Sequence, residues 1–366
     1  MSSSELDSKK DSKKGRVGKV MIVGAGVSGL VCAQQLSEAG FSVHVLDKGR
    51  RPGGRLASRE RQPQFDYGAQ YFTVTDHSFD QKLSAWLSEG IVQPWLGRFA
   101  IAEKERSGDC FSFSPSTPRK QRYVGVPEMN SVGLALSREL PQSATLTVEH
   151  RVTKVEIDKT GCFRIRGEKT AEDSISFVFE GFDYLVLNLP PFQIAALVAT
   201  SSDFAARVQS SSSFESINEV ELSPCFALML QFAKPLAIEF DGIKASNSLL
   251  AWVARDSSKP GRLGENWLLH ASPEWSRLHL EDSLEDVSAA MLAELVLVNQ
   301  QELPAVTYSK CHRWRYALPQ RPLAIGSLLD TENKIGYCGD WCQGNNIEAA
   351  FLSGRHMASL IVGDAS

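Results

Sequence analysis

The sequence predicts an α/β protein on three observations: a β-α-β unit near the N-terminus, a middle rich in β signals, and a last strand followed by a long helix. At 366 residues the chain suits roughly two domains, or one domain with a large insertion. Hydrophobic residues make up 43% and charged residues 22%, an ordinary globular composition. Lysine and arginine number 39 against 43 acidic residues. The net charge of −4 excludes a surface broadly attractive to nucleic acid.

Each element follows from local pattern. Lys19–Val23 (KVMIV) is an apolar, β-branched run of the kind buried in parallel sheets. A glycine-rich turn follows at residues 24–29. Leu30, Val31, Ala33 and Leu36 then recur at helical spacing, and Gly40 is a stop. Ser42–Leu46 (SVHVL) reads as the next strand, completing the unit that makes two adjacent parallel strands. Residues 148–157, 162–167 and 174–180 read as strands joined by polar turns, and 184–189 as a buried strand ended by Pro190 and Pro191. Residues 129–140 and 191–198 read as helices. The Ser/Ala-rich stretch 201–213 reads as a crossing between domains. Residues 225–232 and 249–254 are further strands, 284–297 an amphipathic helix, 337–339 the end of a strand, and 347–362 the final helix.

No apolar run approaches the roughly 20 residues of a membrane span. The strongest, 291–298, is interrupted by Glu294. Residues 1–17 are polar and carry Glu5, Asp7 and Asp11, unlike a secretory or transit signal, so a disordered tail and a cytoplasmic protein are expected, with an organellar destination left open. The seven cysteines form no CxxC pair and the histidines no zinc-ligand spacing, so reduced cysteines and no metal site are expected.

Gly24-Ala25-Gly26-Val27-Ser28-Gly29 is a GxGxxG turn between a strand and a helix. Gly24 allows the tight turn, Gly26 the approach of a pyrophosphate, and Gly29 the packing of helix on strand. The helix start at Ser28 offers free N–H groups to the phosphates. Asp47 closes the second strand, where an acid accepts hydrogen bonds from an adenosine ribose, with Lys48 beside it. This motif predicts a dinucleotide without separating NAD from FAD.

The next residues separate them. Arg51-Pro52-Gly53-Gly54-Arg55 resembles the second fingerprint of glutathione-reductase-type flavoproteins, particularly the amine-oxidase superfamily. The resemblance implies that Gly54 and Arg55 wrap the pyrophosphate and flavin end of FAD. Asp66-Tyr67-Gly68-Ala69-Gln70-Tyr71-Phe72 resembles the segment beside the isoalloxazine ring, with Gly68, Ala69, Gln70 and Tyr71 against the flavin. Val152 matches the valine whose backbone meets adenine, and fits an ordinary strand valine equally well. At the C-terminus, Gly339-Asp340 and the helix opening at Ile347 imply an aspartate on the ribityl chain and a backbone N–H toward flavin N1 and C2=O. Non-covalent FAD is therefore expected.

Within the superfamily, residues 47–58, 65–73, 267–276, 312–319 and 339–354 are most similar to renalase-like proteins. That resemblance implies oxidation of dihydro-NAD(P) isomers, with hydride at the 2- or 6-position, to NAD(P)+, and O2 as acceptor giving H2O2. A dihydronicotinamide needs no general base, so positioning suffices. Asn346 stands where amine oxidases place an aromatic-cage tyrosine. Lys234, Lys244 and Lys259 read as solvated, so no flavin-contacting lysine is expected. His270, Asn346 and Tyr71 are the candidate catalytic positioning residues. Trp267, His270, Trp314, Arg315 and Trp341 are the candidate substrate residues. Trp267, Trp314 and His270 fit core packing equally well, and Arg313 and Arg315 share one face of a strand, phosphate-binding or solvated. The alternatives are an amine oxidase or other flavin dehydrogenase, and an FAD-free partner-binding scaffold of Rab-escort type.

The implied architecture is a three-layer, Rossmann-like FAD domain on a parallel sheet, from residues 18–76, 128–198 and 330–366. A mixed β-sheet substrate domain with helices comes from 77–127 and 199–329, and the flavin lies between them.

Overall fold

The computed structural model describes residues 18–59, 61–105, 110–171 and 175–366, so the expected tail at 1–17 lies outside the described residues. Six strands form one sheet in the order Leu328–Asp330, Ile335–Tyr337, Tyr184–Leu187, Lys19–Val23, Ser42–Leu46, Ala144–Thr147. All neighbours are parallel except the edge strand Leu328–Asp330. Alternation along the central strand separates two layers. Val20 and Ile22 enter a core with the helices Val27–Glu38 and Ile347–Ala365. Met21 and Val23 enter a second core under an antiparallel sheet of His150–Ile157, Phe163–Lys169 and Ser176–Phe182. The result is α/β in three layers.

The polar stretch at 201–213 is not a plain crossing. It contributes to two short helices, Ser202–Val208 and Ser212–Asn218, whose Phe204, Val208, Phe214 and Ile217 enter the second core. Four apolar residues at helical spacing outweigh the serine-rich composition around them.

A second, seven-stranded sheet has the order Val306–Pro319, Leu222–Phe232, Asn266–Ala271, Leu250–Arg255, Gly242–Ser246, Phe99–Lys104, Phe111–Pro115. Its pairs are antiparallel except Gly242–Ser246 with Phe99–Lys104. The helix Leu284–Asn299 covers one face through Val287, Met291, Leu295 and Val298. Glu294 on this helix is buried, and its carboxylate accepts from Lys104 Nζ at 2.7 Å and Ser248 Oγ at 2.6 Å. The opposite face carries Ala227, Met229 and Leu268 against Phe65, which brings this sheet to the segment 65–72. Among the described residues no helix is long and apolar enough to cross a membrane.

Candidate functional site

The parallel sheet opens a crevice where the order of strand connection reverses, between the parallel neighbours Lys19–Val23 and Tyr184–Leu187, and sites in such sheets form at the carboxyl ends there. The glycine turn occupies that position. Gly24 has φ +107, and a Cβ on it would meet the Asn188 carbonyl oxygen at 2.2 Å. A Cβ on Gly29 would lie 2.2 Å from the Gly24 carbonyl oxygen. Asn188 Nδ2 donates to that same carbonyl at 3.0 Å and fixes the turn. Sequence reasoning missed Asn188; the signal was a polar residue at the end of a wholly apolar strand adjoining the glycine strand.

Gly26 is the N-cap of Val27–Glu38 and offers no side chain to the first-turn N–H groups. A helix start uncapped in this way favours an anion. Gly53 N donates to Ala25 O at 2.8 Å, which brings Gly54 so close that a Cβ on it would sit 3.4 Å from Gly26 Cα. Asp47 accepts from Ala25 N at 2.7 Å and Gly49 N at 2.6 Å, and each carboxylate oxygen keeps a further lone pair. The strand containing Val152 starts beside this loop, His150 N donating to Asp47 O at 2.8 Å. Lys48 is exposed. Bare backbone, free N–H groups and an acid at one crevice fit a dinucleotide.

Arg55 and Asp340, 285 positions apart, meet in a two-point pair at 2.9 and 2.5 Å, and Arg55 also donates to Ala317 O at 2.9 Å. Gly339 N donates to Ser353 Oγ at 3.1 Å, tying this loop to the last helix. Ile347 opens that helix. Asn346 is its N-cap, its side chain accepting from Ala349 N at 2.8 Å. The Asn346 side chain therefore has a capping role before any other.

The segment 67–70 is held from both sides. Tyr67 N and Gly68 N donate to Ala57 O, and Ala69 N to Arg55 O. His270 Nε2 at 3.3 Å and Trp314 Nε1 at 2.9 Å both reach the Tyr67 carbonyl. Burial lowers His270 to about 4, so it is neutral at physiological pH, and the contact requires the proton on Nε2. Tyr67 stacks on Trp314 at 5.6 Å with His312 beside both. Tyr71 packs among Trp95 and Trp252.

Strand parity corrects two substrate assignments, and burial corrects a third. Trp267 points away from His270 into the core under the helix Leu284–Asn299, fully buried, with its N–H on Glu265. Arg315 points away from Trp314 and forms a two-point pair with Glu281 on the exposed side. Trp341 is core, 1% exposed, its N–H on Leu189 O. Side chains alternate along a strand, so neither Trp267 and His270 nor Trp314 and Arg315 share a face.

Lys259 is also corrected: it is buried, not solvated. Its Nζ lies 2.7 Å from Asp256, 3.0 Å from Asp66 and 3.3 Å from Gln70 Oε1. Arg262 bonds both carboxylates, and Asp66 also accepts from Met129 N and Ser58 Oγ. Burial acts to raise the Asp66 pKa, but Arg262 and Lys259 outweigh it and hold the carboxyl at about 2. Two cations and two anions thus bolt the segment 66–70 to the second sheet. Polar surroundings in sequence hid this because the partners are about 190 positions away. Among the described residues no group of three His, Cys, Asp or Glu side chains is placed to hold a metal ion.

Residues 22–89 match the family of NAD(P)-binding Rossmann-like domains. A 38-residue stretch, 10% of this chain and 6% of its relative, is 55% identical to L-amino-acid oxidase of Mus musculus. The curated relatives match over 38 to 61 residues, and the chain spans 5 to 12% of their length. The fold is shared over nearly the whole chain with solved structures. One is a protein from Exiguobacterium sp. 255-15 proposed to be a protoporphyrinogen oxidase, with TM-score 0.70, 13% identity and coverage of 94% and 98% of the two chains. Another is putrescine oxidase bound to putrescine, with TM-score 0.66, 13% identity and coverage of 94% and 99%.

Proposed function

We propose that this protein is an FAD-dependent oxidoreductase that oxidises dihydro-NAD(P) isomers to NAD(P)+. The observation that carries the cofactor is the crevice: Gly26 and Gly54, from separate segments, present bare backbone beside uncapped N–H groups and Asp47. When bound, FAD would supply the two-electron acceptor for the hydride, with O2 and two protons as the terminal acceptor giving H2O2. The chain's own residues bind and orient. The N–H groups at the start of Val27–Glu38 would hold the pyrophosphate and Asp47 the ribose, with Val152 toward adenine. Arg55 and Asp340 serve the phosphate and ribityl side, and Gly68 and Ala69 the ring. Ile347, at the start of the last helix, would offer its N–H to the ring edge where reduction builds negative charge.

The substrate class rests on how the surrounding polar groups are already engaged. Neutral His270 is spent on Tyr67 O, and Asp66, Asp256 and Asp340 are all ion-paired. A dihydronicotinamide suits such a site, because loss of hydride restores aromaticity and no base is needed. The likeness to putrescine oxidase favours amine oxidation as the second reading. Anaerobic titration of the FAD-loaded protein decides between them. Rapid bleaching by reduced NADP+ rich in 2- and 6-dihydro isomers, with ordinary NADPH slow, supports the proposal. Equal bleaching by NADPH points to a general NAD(P)H oxidoreductase, and bleaching by amines alone to the second reading.

A further inference from the structure

Tyr71 follows the segment 67–70, and it forms one wall of an aromatic box with Trp95, Phe99 and Trp252. Phe72 and Tyr123 exchange backbone hydrogen bonds at 2.9 and 2.8 Å, which places Arg122 beside that box. The Arg122 guanidinium lies 3.9 Å from the Phe99 ring centroid, 4.4 Å from Tyr71 and 5.4 Å from Trp252. Three ring faces hold a cation in place without neutralising it.

No acid does so either. Among the described residues no carboxylate lies within ion-pair distance of Arg122, whereas half-buried Arg51, Arg55 and Arg255 and buried Arg262 each have one. Arg122 Nη1 is buried without a hydrogen-bond acceptor, and so is Trp252 Nε1. Buried donors are normally satisfied, and an orphaned charged donor is the costlier case. Two orphaned donors in one box both lack a hydrogen-bond acceptor, and the one on the guanidinium also lacks a counter-charge.

We infer that Arg122, with Trp252, is an anion-recognition site that takes a carboxylate or phosphate of the substrate. The inference rests on the proposed function and deepens it. A guanidinium with no counter-ion repels a protonated amine and favours a substrate carrying phosphate or carboxylate, as dinucleotides do.

The test uses the full chain, titrated separately with inorganic phosphate and with benzoate. Tryptophan fluorescence reads the box through Trp95 and Trp252, with or without a flavin. Saturable binding of either anion is expected, and the anion that binds more tightly identifies which oxyanion the box prefers. Arg122→Met should weaken it by about tenfold to a hundredfold, the range for a charge-assisted hydrogen bond. Arg122→Lys keeps the charge but not the planar fork, and should weaken it by about fivefold or more, so the test survives if the methionine variant fails to fold. Binding unchanged in Arg122→Lys or Arg122→Met, or no binding of either anion to the wild-type chain, overturns the assignment. A protein that binds the anions but no FAD overturns the cofactor reading and leaves this one standing. A flavoprotein indifferent to both anions does the reverse.

Discussion

Replacing Lys259 by Met removes one cation from a buried group of two cations and two anions. Asp66 and Asp256 are fully buried and would share Arg262 alone, leaving one uncompensated negative charge in the interior. Breaking a buried pair from one side costs about 3–5 kcal/mol. A domain's whole stability is about 5–15 kcal/mol, so the loss is a large fraction. Urea unfolding followed by tryptophan fluorescence should show the midpoint fall at unchanged slope. Arg315→Ala is the control: it breaks a pair with Glu281 whose side chains are 43% and 72% exposed, and should leave the urea midpoint close to that of wild type. Adding Asp256→Asn to Lys259→Met rebalances the charges, so the double variant should be more stable than the sum of the single losses predicts. If Lys259→Met lies within about 1 kcal/mol of wild type, the buried lock described here is wrong.

Acid should release the same lock. The folded pKa of Asp66, about 2, lies below its ordinary value of 3.8. Its contribution is therefore complete above the ordinary value and is lost as pH falls through the folded one. Wild type should lose more stability over that window than Asp66→Asn, as read from urea midpoints. Gly354→Ala should destabilise by about 1–3 kcal/mol, because a Cβ there would meet the Ser28 carbonyl oxygen at 2.3 Å where the two helices cross; a thermal melt unchanged from wild type would refute this. Burial pushes the Cys225 and Cys342 thiols up to about 12, so a thiol reagent near neutral pH should modify half-buried Cys110 and Cys162 first in the native protein, as read by peptide mass mapping.

The crevice was legible because its signals are local. GxGxxG, Gly53-Gly54 and the strands flanking them each occupy a few consecutive residues whose spacing carries the geometry. The long strand Val306–Pro319 carries no aliphatic alternation to mark it as one element, because its positions facing the segment 65–67 are Tyr308, His312 and Trp314. The helix His77–Ser88 has one local signal, Asp76, which caps it by accepting from Ser78 N and Phe79 N. The substrate side was least legible. Lys259, Arg262 and Arg122 are defined by partners far away in sequence, and no local pattern distinguishes a lysine in a buried ion group from one in water. Parity was available: once Asn266–Ala271 is a strand, Trp267 and His270 must face opposite ways.

The central claim is that the crevice around Gly26, Asp47 and Gly54 holds FAD. The most direct measurement is the visible absorbance of the purified protein after incubation with FAD and removal of the unbound cofactor by gel filtration. The account predicts one retained FAD per chain, released intact on denaturation, and little retained by Gly26→Leu, whose side chain fills the crevice. A wild-type protein that emerges colourless, or that retains flavin equally when Gly26 is leucine, would contradict it.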